Sequence, residues 1–232
     1  KSSYVAQIKL TLKKIKSFNM ADKIAVTVDE VFSKLPLEQV SLIKNYLTLL
    51  FKWHSKNNIV SSSNEEYVIK REIFDSSILS KFISVSSITD VGSGGGIPGM
   101  ILAILNPNKK VTLIDRKSTF IDFLEIVKSE LKLENVVVKK QDFFDNKYSI
   151  NSECTLFKNF SNKKIAKMDF EKKLKYLIET VKKSKSVSKV YILTGTPVLQ
   201  LSKQFHEDYK MNVNKIASPY FDTSRFIAEV FL

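Results

Sequence analysis

Five of the six glycines in this 232-residue chain fall inside one eight-residue window, Gly92-Ser93-Gly94-Gly95-Gly96-Ile97-Pro98-Gly99. Glycine accepts a left-handed backbone and carries no Cβ to obstruct a close approach. Its confinement to one window therefore marks where the chain turns tightly or admits a ligand. An apolar run, Ile88-Thr89-Asp90-Val91, precedes the window, and an apolar stretch opened by Pro98 follows it. Strand, glycine turn and helix in that order form a cradle for a nucleotide-like ligand. Backbone N–H groups of the turn and the helix start are expected to face outward, toward anionic groups or hydroxyls.

Hydrophobic periodicity divides the rest of the chain in two. The first sixty residues contain one proline and no glycine, and they read as helical. Val5, Ile8, Leu12 and Ile15 give Tyr4–Phe18 an apolar helical face. Pro36 stands where a helix can begin, and Val40, Ile43, Leu47 and Leu50 follow at three- and four-residue spacing. That helix should reach about Ser55 and stop at Asn57-Asn58. A third begins at Asn64, a side chain suited to capping, with Glu65 and Glu66 in the first turn. From Ile88 onward strands and helices alternate. Strands are expected at Ile88–Val91, Val111–Ile114, Val136–Val138, Thr155–Phe157 and Val187–Leu193, with helices at Phe120–Leu131 and Phe170–Lys183. Two extended segments close the chain, Asn212–Ala217 and Phe226–Leu232. The expected architecture is α/β: a Rossmann-like, mostly parallel sheet with helices on both faces and a C-terminal antiparallel hairpin. An N-terminal helical appendage over 1–62 precedes a main domain over 63–232.

A formal net charge of +13 points to a polyanionic partner such as RNA. Only Arg71, Arg116 and Arg225 supply guanidinium groups, so the charge is almost all lysine. That profile also arises from genome-wide base composition. Hydrophobic content of 44% is enough for a sizeable core. No apolar run is long enough for a membrane span, and the basic N-terminal stretch lacks the pattern of a signal peptide. Cys154 is the single cysteine, and His54 and His206 belong to no metal-ligand spacing. A cytoplasmic, metal-free monomer is the expectation.

Two patterns overlap in the glycine window. Gly94-x-Gly96-x-x-Gly99 satisfies the dinucleotide fingerprint. Asp90-x-Gly92-x-Gly94-x-Gly96 resembles the first motif of S-adenosylmethionine-dependent methyltransferases. A dinucleotide brings a pyrophosphate, which an adjacent carboxylate repels. S-adenosylmethionine brings a sulfonium and an ammonium, which Asp90 attracts. Asp115 closes the second strand, 23 residues beyond Gly92, where a carboxylate takes both ribose hydroxyls of either ligand; the lesser alternative is a surface turn residue.

Taken together, Asp90-Val-Gly-Ser-Gly-Gly-Gly-Ile-Pro-Gly99, Leu113-Ile-Asp115 and Phe123-Leu124 resemble the bacterial small-subunit ribosomal RNA methyltransferase G family, also called glucose-inhibited division protein B. Trp53-His54, Arg71-Glu72-Ile73-Phe74-Asp75-Ser76, Leu131-Lys132-Leu133-Glu134-Asn135 and Arg225-Phe226-Ile227 extend the likeness over about residues 40 to 230. The resemblance implies a class I methyltransferase fold that transfers a methyl group from S-adenosylmethionine to N7 of a guanine in small-subunit (16S) rRNA, free or in the 30S subunit. By position it implies donor contacts from Gly92, Gly94, Gly96, Ile97, Asp115, the pair Gln141-Asp142 at the adenine edge, and Lys158. Asp90 would lie near the methionine amino group. Three positions depart from the family pattern: Lys158 stands for an arginine, Glu72 for a histidine, and Thr194 for a lysine.

The chemistry suits what is present. Guanine N7 carries a lone pair and no proton, so its methylation needs no general base, and no catalytic residue is assigned. Proximity and orientation can supply roughly 7–11 kcal/mol of the barrier. Asp75 or Asp142 is a candidate for holding the guanine edge. Lys163, Lys164, Lys167, Lys172 and Lys173 either follow RNA phosphates or simply solvate a helix. The alternative function is a non-catalytic RNA- or ribosome-binding protein on a decayed methyltransferase fold. A nicotinamide-dependent oxidoreductase fits less well, because no substantial catalytic domain follows the nucleotide fold.

Overall fold

A computed structural model describes residues 20–145, 148–222 and 224–232. The helix expected over Tyr4–Phe18 lies outside these residues. Helix α1 (Met20–Phe32) and helix α2 (Leu37–Asn57) lead into a continuous helical run over 65–80, here α3. Pro36 sets the entry to α2, and Asn58 ends it in a left-handed conformation, φ 48°. The Asn58 N–H donates to the His54 carbonyl at 3.1 Å. The Asn64 side chain caps α3 as expected, accepting from the Tyr67 N–H at 2.9 Å. The middle of α3 departs from the sequence reading. Val68–Ile73 is π-helical, and behind it the segment Phe74–Ser80 is α-helical again. The wider turn leaves Glu72, Asp75 and Ser76 buried beside apolar residues, an arrangement that simple 3.6-residue periodicity does not reveal.

The sheet contains β1 (Ser87–Val91), β2 (Lys110–Asp115), β3 (Val136–Lys140), β4 (Cys154–Lys158), β5 (Lys189–Thr194), β6 (Met211–Lys215) and β7 (Phe226–Phe231). Their order is β3-β2-β1-β4-β5-β7-β6. The first five are parallel, and β7 runs antiparallel to both β5 and β6. A mostly parallel sheet closed by an antiparallel C-terminal hairpin is therefore what forms. Helices α4 (Gly99–Leu105), α5 (Ser118–Glu130), α6 (Phe170–Lys182) and α7 (Lys203–Asp208) provide the crossovers and cover. Central strands such as β1 and β4 are buried along nearly their whole length, because helices cover both faces.

Two apolar clusters fill the two sides. One joins α1, α2 and α3 to α4, α5 and the inner strands; the other joins α6 and α7 to β4, β5 and β7. Helix α2 alone buries Val40, Ile43, Tyr46, Leu47, Leu50 and Phe51. Burying one such aliphatic or phenyl side chain contributes about 1.5–3 kcal/mol. Trp53 extends the same helix and packs on Phe123 of α5, with ring centroids 5.7 Å apart.

The chain winds outward in both directions from the gap between β1 and β4. In such sheets ligands bind outside the carboxyl ends of the strands at that switch point. The glycine window lies there, and α2 reaches it directly: the buried Tyr46 hydroxyl donates to the Gly95 carbonyl at 2.7 Å. Replacing Tyr46 by Phe leaves that buried carbonyl without its donor. The expected loss is about 1–3 kcal/mol, read as a lower urea midpoint with an unchanged m value.

Candidate functional site

The glycine window folds back on the end of β2. Gly92 and Ser93 N–H groups both donate to the Ile114 carbonyl, at 2.9 and 3.1 Å. The Gly94 N–H donates to Asp115 Oδ2 at 3.1 Å, and the Gly99 N–H to Asp90 Oδ2 at 2.9 Å. The Gly96 N–H closes a turn onto the Ser93 carbonyl at 2.7 Å. Five N–H groups are thus engaged inside the protein, and the outward-facing set expected from the sequence does not form. Two of the five go to carboxylates at the strand ends, Asp115 and Asp90, and the other three to the backbone carbonyls of Ile114 and Ser93. Gly96 has φ 94°, and a Cβ there would lie 2.7 Å from Met100 Cγ and 2.9 Å from Leu124 Cδ2. Its glycine serves close packing of loop on helix.

Two cavities flank this floor. The first, about 240 Å³, is lined by Gly92, Gly94, Asp115, Lys117, Phe120, Gln141, Asp142 and Phe160, among others. The second, about 140 Å³, lies between the loop and the α2–α3 connection, lined by Val60, Ser61, Glu72, Gly95, Ile97 and Lys158. Gly92, Gly94 and Asn159 line both, so the two form one trough along the carboxyl edge. Of the residues nominated from sequence, Gly92, Gly94, Asp115, Gln141 and Asp142 meet in the first cavity. Ile97 and Lys158 meet the two glycines in the second. Asp90 and Gly96 line neither, lying beneath the floor.

Local bonds fix the residues of the first cavity. Asp115 Oδ1 accepts from the Lys117 N–H at 3.0 Å, and the Asp115 carbonyl accepts from the Gln141 N–H at 2.9 Å. Asp142 Oδ1 accepts from the Phe144 N–H at 3.0 Å. At the other end, Glu72 from the π-helical segment forms an ion pair with Lys158 at the end of β4. Two positions that depart separately from the family pattern therefore face each other. Asp75 is buried, pairs through Oδ2 with Arg225 just before β7, keeps Oδ1 without a hydrogen-bond partner among the described residues, and lines neither cavity. Burial, with Arg71 nearby, pushes the Arg225 guanidinium down to about 10.

Sequence reasoning missed Asn159 and Phe160. Asn159 adopts φ 51°, a conformation asparagine tolerates better than most residues. It joins the two cavities to a third, of about 180 Å³, at the ends of β4 and β5. Phe160 lies over Gly92, where a Cβ would come within 2.4 Å of its ring. The ring packs on Phe143, Phe144 and Phe157. Cys154 is buried at the start of β4, and burial pushes its thiol up to about 12, far from a reactive thiolate. Among the described residues no cluster of three His, Cys, Asp or Glu side chains has metal-binding geometry, and no helix is long and apolar enough to cross a membrane.

Asp90 is 1% exposed, and burial pushes its carboxyl up to about 7, against the pull of the Gly99 N–H and Lys158. Asp115 pushes in the same direction as burial. A raised folded-state value means that the native chain holds this proton while the unfolded chain releases it near pH 4. The associated stability is complete at low pH and declines as pH rises from about 4 through 7, by at most about 1.4 kcal/mol per pH unit. Asp90→Asn keeps an acceptor for Gly99 and removes the titration. Urea unfolding across this window should show a shallower pH slope in the variant than in the wild type.

The family model described as GidB, rRNA small subunit methyltransferase G, matches residues 39–174. A protein of Francisella philomiragia subsp. philomiragia named ribosomal RNA small subunit methyltransferase G is 38% identical over 118 residues, 51% of this chain and 58% of the relative. Its namesake in Francisella tularensis subsp. novicida is 38% identical over 117 residues, 50% of this chain and 57% of the relative. The aligned part thus spans little more than half the length of these curated relatives. Among solved structures, the S-adenosylmethionine-dependent methyltransferase SibL in its apo form superposes with a TM-score of 0.52 at 14% identity, covering 90% of this chain and 74% of that one. The methyltransferase domain of bacterial CtHen1-C superposes at 0.51 and 12% identity, covering 71% and 98%. Those two likenesses speak to architecture, the class I methyltransferase fold. The glycine window, Asp115 and Lys158 all lie within the matched segment, and the chain belongs to the rRNA small subunit methyltransferase G family.

Proposed function

We propose that this chain transfers the methyl group of S-adenosylmethionine to N7 of a guanine in small-subunit (16S) rRNA, free or assembled in the 30S subunit. One observation carries the reading: the two cavities run together over Gly92 and Gly94, with Asp115 at one end and the Glu72–Lys158 pair at the other. An adenosine needs a carboxylate for its ribose hydroxyls and a polar edge for its base, and Asp115 with Gln141-Asp142 supplies both. A diphosphate needs free N–H groups at the loop, and here the loop's donors are largely engaged within the protein. The trough therefore suits a nucleoside carrying an uncharged or cationic linker.

When bound, S-adenosylmethionine supplies an electrophilic methyl group. The N7 lone pair forms the new N–CH₃ bond as the C–S bond breaks and its electron pair returns to sulfur. Positive charge passes from sulfur to the purine, and no proton moves. The chain's part is to hold two reactants in line and exclude water. Asn159, where all three cavities meet, and the Phe160 ring form the boundary between the donor trough and the third cavity. The target base enters from that side, and lysines 163, 164, 167, 172 and 173 follow on the adjoining surface, where they meet RNA phosphates. Lys164 already stands over the Phe144 ring, 5.4 Å from its centroid. We assign the chain to the cytoplasm, where this RNA resides, and to action as a monomer.

Incubating the chain with 30S subunits and methyl-labelled S-adenosylmethionine should yield labelled 7-methylguanosine in digested rRNA. Asp115→Ala should weaken S-adenosylhomocysteine binding about 10- to 100-fold, the worth of a charged hydrogen bond. Labelled product at another base or atom would overturn the assignment of N7. Calorimetry that shows no heat with S-adenosylhomocysteine would favour a non-catalytic RNA-binding protein instead.

A further inference from the structure

Lys158, expected to touch the methyl donor, is paired in the second cavity with Glu72, which has no assigned role, and the two charges have a ligand-like complement. We propose that Glu72 and Lys158 together form the binding site for an α-amino-acid headgroup, Lys158 taking the carboxylate and Glu72 the ammonium of the methyl donor's methionine end. The inference rests on the donor reading above and adds to it a second anchoring carboxylate.

Three observations support it. Both side chains line the second cavity beside Ser61, Gly95 and Ile97, the end of the trough away from Asp115. They are largely withdrawn from water, with 10% and 17% of their side-chain surfaces exposed. Asp90, the carboxylate that sequence places near the ammonium, caps Gly99 beneath the loop and lines neither cavity. The cationic end of the ligand therefore meets Glu72.

Charge balance explains the pairing. Without a ligand each side chain neutralises the other, so neither is left as an uncompensated charge in a partly dry site. A zwitterion laid head to tail beside them converts one ion pair into two, with net charge unchanged. The two substitutions also make sense jointly. An arginine fork grips a carboxylate through two parallel bonds, whereas lysine offers a single point charge. A carboxylate at residue 72 compensates by holding the ammonium as well.

The test compares two ligands that share an adenosine. S-adenosylhomocysteine carries the amino-acid headgroup, and 5′-methylthioadenosine lacks it. Calorimetry on the full chain should show Glu72→Gln weakening S-adenosylhomocysteine about tenfold or more while methylthioadenosine changes less than about twofold. A double exchange, Glu72→Lys with Lys158→Glu, keeps the ion pair and reverses its polarity, so it serves where the single variant is unstable. It too should lose S-adenosylhomocysteine selectively. Undiminished S-adenosylhomocysteine binding in either variant overturns the proposal, as does equal loss of both ligands. A wild-type chain that binds neither ligand overturns the donor reading itself. Wild-type binding with no selective loss refutes only the role of the pair.

Discussion

Two carboxylates hold the glycine loop in place, and the site depends on that grip. Asp115 takes the Gly94 N–H and Asp90 takes the Gly99 N–H, one at the end of β2 and the other inside the end of β1. A loop this rich in glycine has the largest backbone entropy to lose on ordering. Fixing it at both ends gives it one shape before a ligand arrives. The same bonds keep two of the loop's N–H donors turned into the protein. Burying Asp90 has a cost, visible in its raised carboxyl, which is offset by the Gly99 N–H and the field of Lys158.

Charge is distributed unevenly across the carboxyl edge. Beside the first cavity Asp115 and Asp142 accept backbone N–H groups and are locked by neighbouring turns. At the opposite end Glu72, in the π-helical part of α3, pairs with Lys158 of β4, while Asp75, in the α-helical part behind it, pairs with Arg225 just before β7. A residue of the N-terminal helices thus stands beside a site whose floor comes from the middle of the chain. The Tyr46 hydroxyl on Gly95 adds α2 to that arrangement.

What could be read from the sequence was whatever is encoded in a short span. The glycine turn, the strand before it, Asp115 at the next strand end and the Asn64 cap are local, and each stands where it was read. Helix α1 also carries a legible signal, since Ile24, Val28 and Phe32 recur every four residues and are all buried. The engagement of the loop's donors could not be foreseen, because it depends on how β2 stops beside the turn. Nor could the meeting of Glu72 with Lys158, which requires a π-helical turn to bring residue 72 toward β4. Asn159 needed a backbone angle that no pattern of polarity reports. Motif reading finds the floor of such a site, while tertiary placement decides which groups stand above it.

Trp53 is the sole indole of the chain, and its ring rests on Phe123. Phe123 shares α5 with Phe120, which lines the first cavity. The chain thus carries one indole emitter, one helix removed from that cavity. A tilt of α5 would change the surroundings of this indole, whose emission can be excited apart from that of the tyrosines.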